Sequence, residues 1–112
     1  MDDKLKIMLE MQKELQQRIN KEKFGEIVGN QEYISQMTLA ITDEIYEALR
    51  ETKWKYWSKS QIYNKENFQK ELIDSWHFFM NLLIAADIDA DKLFDMYCEK
   101  NKINHERQKN NY

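Results

Sequence analysis

Four acidic side chains fall into two pairs, Glu44 with Glu47 in one apolar segment and Glu71 with Asp74 in another. If both segments are helical, a spacing of three residues sets the members of each pair within about 60° of one another, one turn apart on a shared face. Each pair is then a two-pronged carboxylate fork. The second fork continues along its face through His77 and Asn81, in a segment otherwise built of Leu, Ile, Trp, Phe and Met. An ionised carboxylate buried without a partner is costly, and four of them converging also repel one another. Lys and Arg are scarce on these faces. A hard divalent cation with oxygen ligands suits the pattern, Mg²⁺ first and Mn²⁺ as its substitute. Spacing alone fits two other readings equally: solvated surface pairs, or acids matched to lysines of a neighbouring helix.

A second group lies near the end of the chain. Lys100, Asn104 and Arg107 recur at steps of four and three, so a helical segment would present a cation, an amide and a guanidinium on one side. Such groups suit phosphate oxygens, and Arg can bind two at once. In isolation they also read as a solvated basic end. Taken together, a carboxylate cage for metal and a basic clamp for phosphate are complementary parts of one nucleotide-polyphosphate site.

The elements that must carry these groups are helices, and apolar periodicity marks four of them. The first spans roughly residues 3–24, with Leu5, Met8, Leu15 and Ile19 as its stripe and a gap at Gln12. A loop holding Gly25 and Gly29 follows, and Asn30 is suited to cap the next helix, about 31–52, which carries Ile34, Met37, Ile41, Ile45, Ala48 and Leu49. Trp54 and Trp57 stand among lysines in the connection Lys53 to Ser60; one ring is expected in the core and the other beside a ligand. The third helix starts near Asn64 or Lys65 and runs to Ala86. Its Leu72, Ile73, Trp76, Phe79, Met80, Leu83 and Ile84 wrap most of its circumference, which predicts burial. A turn with a capping Asp leads into a shorter helix from about Asp91 to Lys100, and residues 101–112 read as a polar tail.

Composition narrows the field. The 112 residues make one domain, and with no Pro and only two Gly the chain is unsuited to folds of many short strands. Neither a phosphate-binding G-x-x-x-x-G-K-[ST] loop nor a G-x-G-x-x-G turn can be written from Gly25 and Gly29. A net charge of −3 argues against nucleic acid as the partner. The single Cys98 can form no internal disulfide, and with only His77 and His105 there is no Cys/His zinc set, so a reducing cytoplasm is expected. Cys98 and the methionines read as packing residues. The longest apolar stretch, Phe78 to Ala86, is too short to cross a bilayer, and the start lacks the pattern of a signal peptide, so neither membrane nor secretion is expected. No Ser/His or Cys/His arrangement suggests a covalent intermediate.

Four stretches, in order, resemble the all-α nucleoside triphosphate pyrophosphatase superfamily, which includes MazG-like enzymes and the dimeric dUTPases. They are Met8 to Leu15; Asp43-Glu44-x-x-Glu47 with Trp54-Lys55-Tyr56-Trp57; Glu71 to Phe78; and Lys100-x-x-x-Asn104-x-x-Arg107-Gln108-x-x-x-Tyr112. The dimeric dUTPase branch fits better, over nearly the whole chain. The resemblance implies a four-helix, bundle-like all-α fold completed by dimerisation, with residues 1–112 as one domain and the tail closing over the site.

It also implies roles. Glu44, Glu47, Glu71 and Asp74 would be catalytic ligands of Mg²⁺, one of the first pair also activating the attacking water. Lys100, Asn104, Arg107 and Tyr112 would bind phosphate. Gln12 and Trp57 would face the base and His77 the deoxyribose. Asn81 would either support them or join two helices. The implied reaction is Mg²⁺-dependent hydrolysis of dUTP to dUMP and pyrophosphate, which cleans the nucleotide pool. The alternatives are a dCTP-specific or broad MazG-like pyrophosphohydrolase, and, from another class, a non-catalytic helical interaction module. Two departures stand out: only 25 residues separate Asp74 from Lys100, where family dUTPases carry extra helices, and the Asn that follows shortly after the first-helix Gln in the family has no clear match, Leu15 and Gln16 occupying its neighbourhood and Asn20 coming later.

Overall fold

The structure, a computed structural model, describes residues 3–110. Four helices account for most of them: α1 (Lys4–Phe24), α2 (Gln31–Arg50), α3 (Lys65–Ala85) and α4 (Ala90–Lys109). Each begins where a short polar side chain satisfies an orphan amide of the first turn. Asp3 Oδ1 accepts from Lys6 N, Asn30 Oδ1 from Tyr33 N, Asn64 Oδ1 from Asn67 N and Asp89 Oδ1 from Lys92 N. α1 stops at Gly25, whose φ of 66° is the left-handed conformation that glycine adopts without cost. Gly29 N then donates to Ala85 O at 2.8 Å, tying the α1–α2 turn to the end of α3. The long loop between α2 and α3 is closed at its base by Asn64 N donating to Glu51 O.

α2 packs chiefly on α3, and α1 lies against α3 and α4. The apolar core gathers at one end of this arrangement. Leu9, Met80, Leu83 and Ala90 form one cluster, backed by Leu5, Trp76, Ile88 and Leu93. Ile27, Tyr33, Ile84 and Ala85 form the other, backed by Phe24, Ile34 and Met37. Both clusters draw on the last two turns of α3. The whole is open: the radius of gyration is 17.4 Å, against roughly 13 Å for a compact chain of this length. The accessible surface of 9045 Å² likewise exceeds the roughly 6,600 Å² expected for a folded monomer of this mass.

Several expectations change. The buried face of α1 is Leu5, Leu9, Gln12, Gln16 and Asn20, whereas Met8, Leu15 and Ile19 of the predicted stripe are exposed, with Met11 beside them. The two stripes sit about a quarter turn apart, so both have helical period and only the packing partner tells them apart. The apolar side chains of α3 are fully buried only toward its end; Leu72, Ile73 and Phe79 are exposed. Ile45 and Leu49 of α2 are exposed too. Neither Trp54 nor Trp57 is in the core, and Cys98 is exposed rather than packed. The fourth helix continues nine residues past Lys100 to Lys109, because nothing between them breaks it, neither Pro nor Gly being present.

Candidate active site

α2 turns one face to α3 along Ile34, Met37, Ile41, Glu44 and Ala48, a run of three- and four-residue steps, with Glu47 one turn beyond Glu44 beside it. The two glutamates thus occupy positions that an ordinary helix would give to apolar residues. Opposite them α3 presents Glu71, then Ser75, whose hydroxyl donates to Glu71 O at 2.9 Å. One carboxylate oxygen from each of Glu44, Glu47 and Glu71 lies within 4.8 Å of the other two. Glu44 Oε2 and Glu71 Oε2 are buried and accept no hydrogen bond.

Electrostatics follow from that geometry. Burial pushes the Glu44 carboxyl up to about 7, reinforced by a contact with Glu71 and by the charges of Glu47, Glu71 and Asp74. Burial also raises Glu47, followed by the charges of Asp43 and Glu71. Every charge acting on either group is acidic. Two buried oxygens without a donor inside an all-oxygen cluster fit a hard divalent cation such as Mg²⁺, and the absence of sulfur and nitrogen donors makes the set unsuited to softer ions. Asp74 is exposed and stands outside the three-oxygen cluster, although its charge reaches Glu44.

A polar seam runs beside the carboxylates. Gln12, 4% exposed, donates from Nε2 to Asn81 Oδ1 at 2.7 Å, and its Oε1 lies 2.9 Å from His77 Nδ1. Asn81 Nδ2 in turn donates to the sulfur of Met37 at 3.3 Å. One turn along α1, Gln16 Oε1 accepts from both Tyr33 Oη (2.7 Å) and Asn20 Nδ2 (2.8 Å). Burial pushes the Tyr33 phenol up to about 12, which keeps it a donor. Sequence reasoning singled out Gln12, His77 and Asn81 but missed Met37, Gln16, Asn20 and Tyr33. The four-residue rhythm Gln12, Gln16, Asn20 was the available signal, masked by the apolar stripe next to it.

The remaining candidates are more dispersed. Trp57 is 64% exposed in the α2–α3 loop, edge-on to Trp54 and Tyr56 at ring separations of 6.0 and 5.1 Å, and Lys55 Nζ stands over the Trp54 ring, 5.3 Å from its centroid. Lys100, Asn104 and Arg107 do share a helix, on the exposed outer part of α4. Among the described residues α4 packs on α1 and makes no extended contact with α2, so this chain folded alone does not gather them around Glu44, Glu47 and Glu71. Tyr112 lies outside the described residues. No described helix is long and apolar enough to cross a membrane.

Comparison with known proteins identifies a family. The dUTPase family profile matches residues 4–92, which takes in both carboxylate pairs and the amide-bearing face of α1 and stops short of Lys100. A dCTP pyrophosphatase of Enterobacteria phage LZ5 is 31% identical over 147 residues, covering 98% of this chain and 83% of the phage protein. A dCTP pyrophosphatase of Enterobacteria phage T4 is 28% identical over 145 residues, with the same coverage of each. No solved structure matches. Both alignments are longer than the chain's 112 residues, so the phage proteins carry segments that have no counterpart here. With its four helices and its matched profile, the chain belongs to the all-α dUTPase family.

Proposed function

We propose that this protein hydrolyses a deoxypyrimidine nucleoside triphosphate to the monophosphate and pyrophosphate, with dUTP as substrate. The observation that carries the reading is the convergence of Glu44, Glu47 and Glu71, two of them with orphaned buried oxygens. These three, with Asp74 at the rim, would hold Mg²⁺, or Mn²⁺ in its place. When bound, the cation supplies positive charge to the phosphate oxygens and makes water more acidic. Glu44 or Glu47 takes the proton of the attacking water. Water adds to phosphorus as the bond to the bridging oxygen breaks, and pyrophosphate leaves. Lys100, Asn104 and Arg107, with Tyr112, hold the phosphates and offset the charge that develops on them. Gln12 and Trp57 face the base, and His77, backed by Asn81, faces the sugar.

A second substrate has its own support: both phage relatives are named dCTP pyrophosphatases. After its bonds to His77 and Asn81, Gln12 retains one N–H and one lone pair, and an amide with both can meet either pyrimidine edge.

The working form in this reading is a homodimer. Surface in excess of a compact monomer amounts to roughly 2,400 Å², the scale of a permanent interface. Met8, Met11, Leu15 and Ile19 supply an exposed apolar stripe for it. A second copy also answers the separation of the phosphate-binding face of α4 from the carboxylates.

Incubating the purified protein with Mg²⁺ and each nucleoside triphosphate, and measuring pyrophosphate, tests the assignment. Faster release from dUTP than from dCTP supports the first substrate and the reverse order the second. Equal turnover of purine nucleotides points to a broad MazG-like enzyme. No release, with no Mg²⁺-dependent nucleotide binding in calorimetry, leaves a helical interaction module.

A further inference from the structure

Four side chains from three helices, Met37, Asn81, Gln12 and His77, are hydrogen-bonded in series across the bundle. The direction of the series is set at its inner end. A thioether sulfur accepts and cannot donate, so the atom that Asn81 turns to Met37 Sδ is its amide nitrogen. Asn81 Oδ1 is thereby left for Gln12, whose Nε2 donates to it. Gln12 Oε1 then remains for His77. An amide oxygen only accepts, so the His77 Nδ1 opposite it must carry a proton. A neutral imidazole has a single N–H, which leaves Nε2 with a lone pair.

The alternative is closed off at the sulfur. Reversing the Gln12 amide would set two oxygens face to face unless Asn81 also reversed, and that second reversal sets an amide oxygen against Met37 Sδ. Gln12 and Asn81 are 4% and 3% exposed, so water is not at hand to repair a mismatch. His77, by contrast, is exposed, one turn beyond Asp74 on α3.

We propose that Met37 is a positioning residue which, through Asn81 and Gln12, holds neutral His77 in its Nδ1–H form, so that Nε2 stands at the site as an acceptor for a hydroxyl of the bound nucleoside. The acceptance rests on the nucleotide reading of the site; the tautomer does not. The form selected is the one that free histidine in water disfavours, which makes it a distinctive signature. The device also separates roles: Met37 touches no substrate, yet it decides which ring nitrogen can.

The test is the long-range ¹H–¹⁵N spectrum of the uniformly labelled protein at a pH above the imidazole range. It contains only two histidine rings, and exposed His105 on α4 serves as the comparison. His77 is expected to show Nδ1 as the N–H nitrogen and Nε2 as the lone-pair nitrogen; the opposite assignment overturns the proposal whatever any variant does. Met37→Leu, close in volume, should shift His77 toward the Nε2–H form and raise KM about tenfold while kcat stays within about threefold. An unchanged His77 spectrum in that variant refutes the role of Met37. Adding dUMP or dCMP to the wild type should move Nε2 more than Nδ1. If the tautomer stands and neither nucleotide moves either nitrogen, the sugar contact fails while the hydrogen-bond series survives.

Discussion

Residues 71–79 and residues 80–85 of α3 are both rich in apolar side chains, yet Leu72, Ile73 and Phe79 are exposed whereas Met80, Leu83, Ile84 and Ala85 are buried. The difference lies in what faces them. The later half meets Leu9 of α1, Ala90 of α4 and Tyr33 of α2, so its apolar surface leaves water. The earlier half meets Glu44 and Glu47, and there the same helix holds a cluster of like charges. One end of a single rod supplies stability and the other spends it on a site, a division commonly seen where function needs groups that packing alone would not keep.

The sharpest way to break that comparison is to neutralise the charged end. Glu47→Gln should lower pyrophosphate release by about a thousandfold, with the helical circular dichroism unchanged. A variant that keeps more than a tenth of the activity would dismantle the carboxylate site. At the other end, Leu83→Ala should cost about 2–4 kcal/mol in urea unfolding and leave turnover per folded molecule near wild type. Loss of activity without loss of stability would show that the two ends are not separate.

The exposed stripe on α1 gives a third contrast. Leu15→Glu should convert the proposed dimer to monomer in sedimentation equilibrium, and a wild-type protein that is already monomeric at micromolar concentration removes the premise. pH then probes the charged end, where α2 meets the earlier half of α3, without a mutation. Glu44 is held at about 7 in the folded chain against an ordinary value of 4.5, so between those values the folded state binds more protons than the unfolded one. Metal-free stability should therefore fall as pH rises through that window, and Mg²⁺ should restore it above pH 7. Glu44→Gln should flatten the fall; an unaltered slope would place its origin elsewhere. The smallest effect is expected at Trp57, where replacement by Ala should raise KM by severalfold, since an exposed ring on a loop contributes at most about 1 kcal/mol. A large drop in kcat there would mean that the aromatic loop closes over the chemistry.

Much of this was legible in the residues. The capping residues Asn30, Asn64 and Asp89 mark three helix starts, and Gly25 marks one stop, because orphan amides and a left-handed turn are local requirements that local residues meet. The pairing Glu44 with Glu47 follows from helical pitch alone. What could not be read was the direction each face takes. On α1 an apolar stripe and an amide stripe compete at the same period, and hydrophobicity favours burying Met8, Leu15 and Ile19; the structure buries Gln12, Gln16 and Asn20 instead. Gln12 and Gln16 are satisfied by His77, Asn81 and Tyr33, residues 17 to 69 positions away in the chain, and Asn20 by Gln16.

By itself the sequence determined four helices, their caps and the three-residue spacing of the carboxylates, since each depends on neighbours within a turn or two. Only the tertiary structure decided that Glu71 meets Glu44 and Glu47, that Asp74 stays at the rim, that the start of α4 packs on α1 while Lys100, Asn104 and Arg107 stay exposed, and that Met37 closes a series ending at His77. The physical reason is that helical period fixes which residues share a face, whereas the partner of that face is chosen by packing and by the hydrogen bonds that burial makes obligatory.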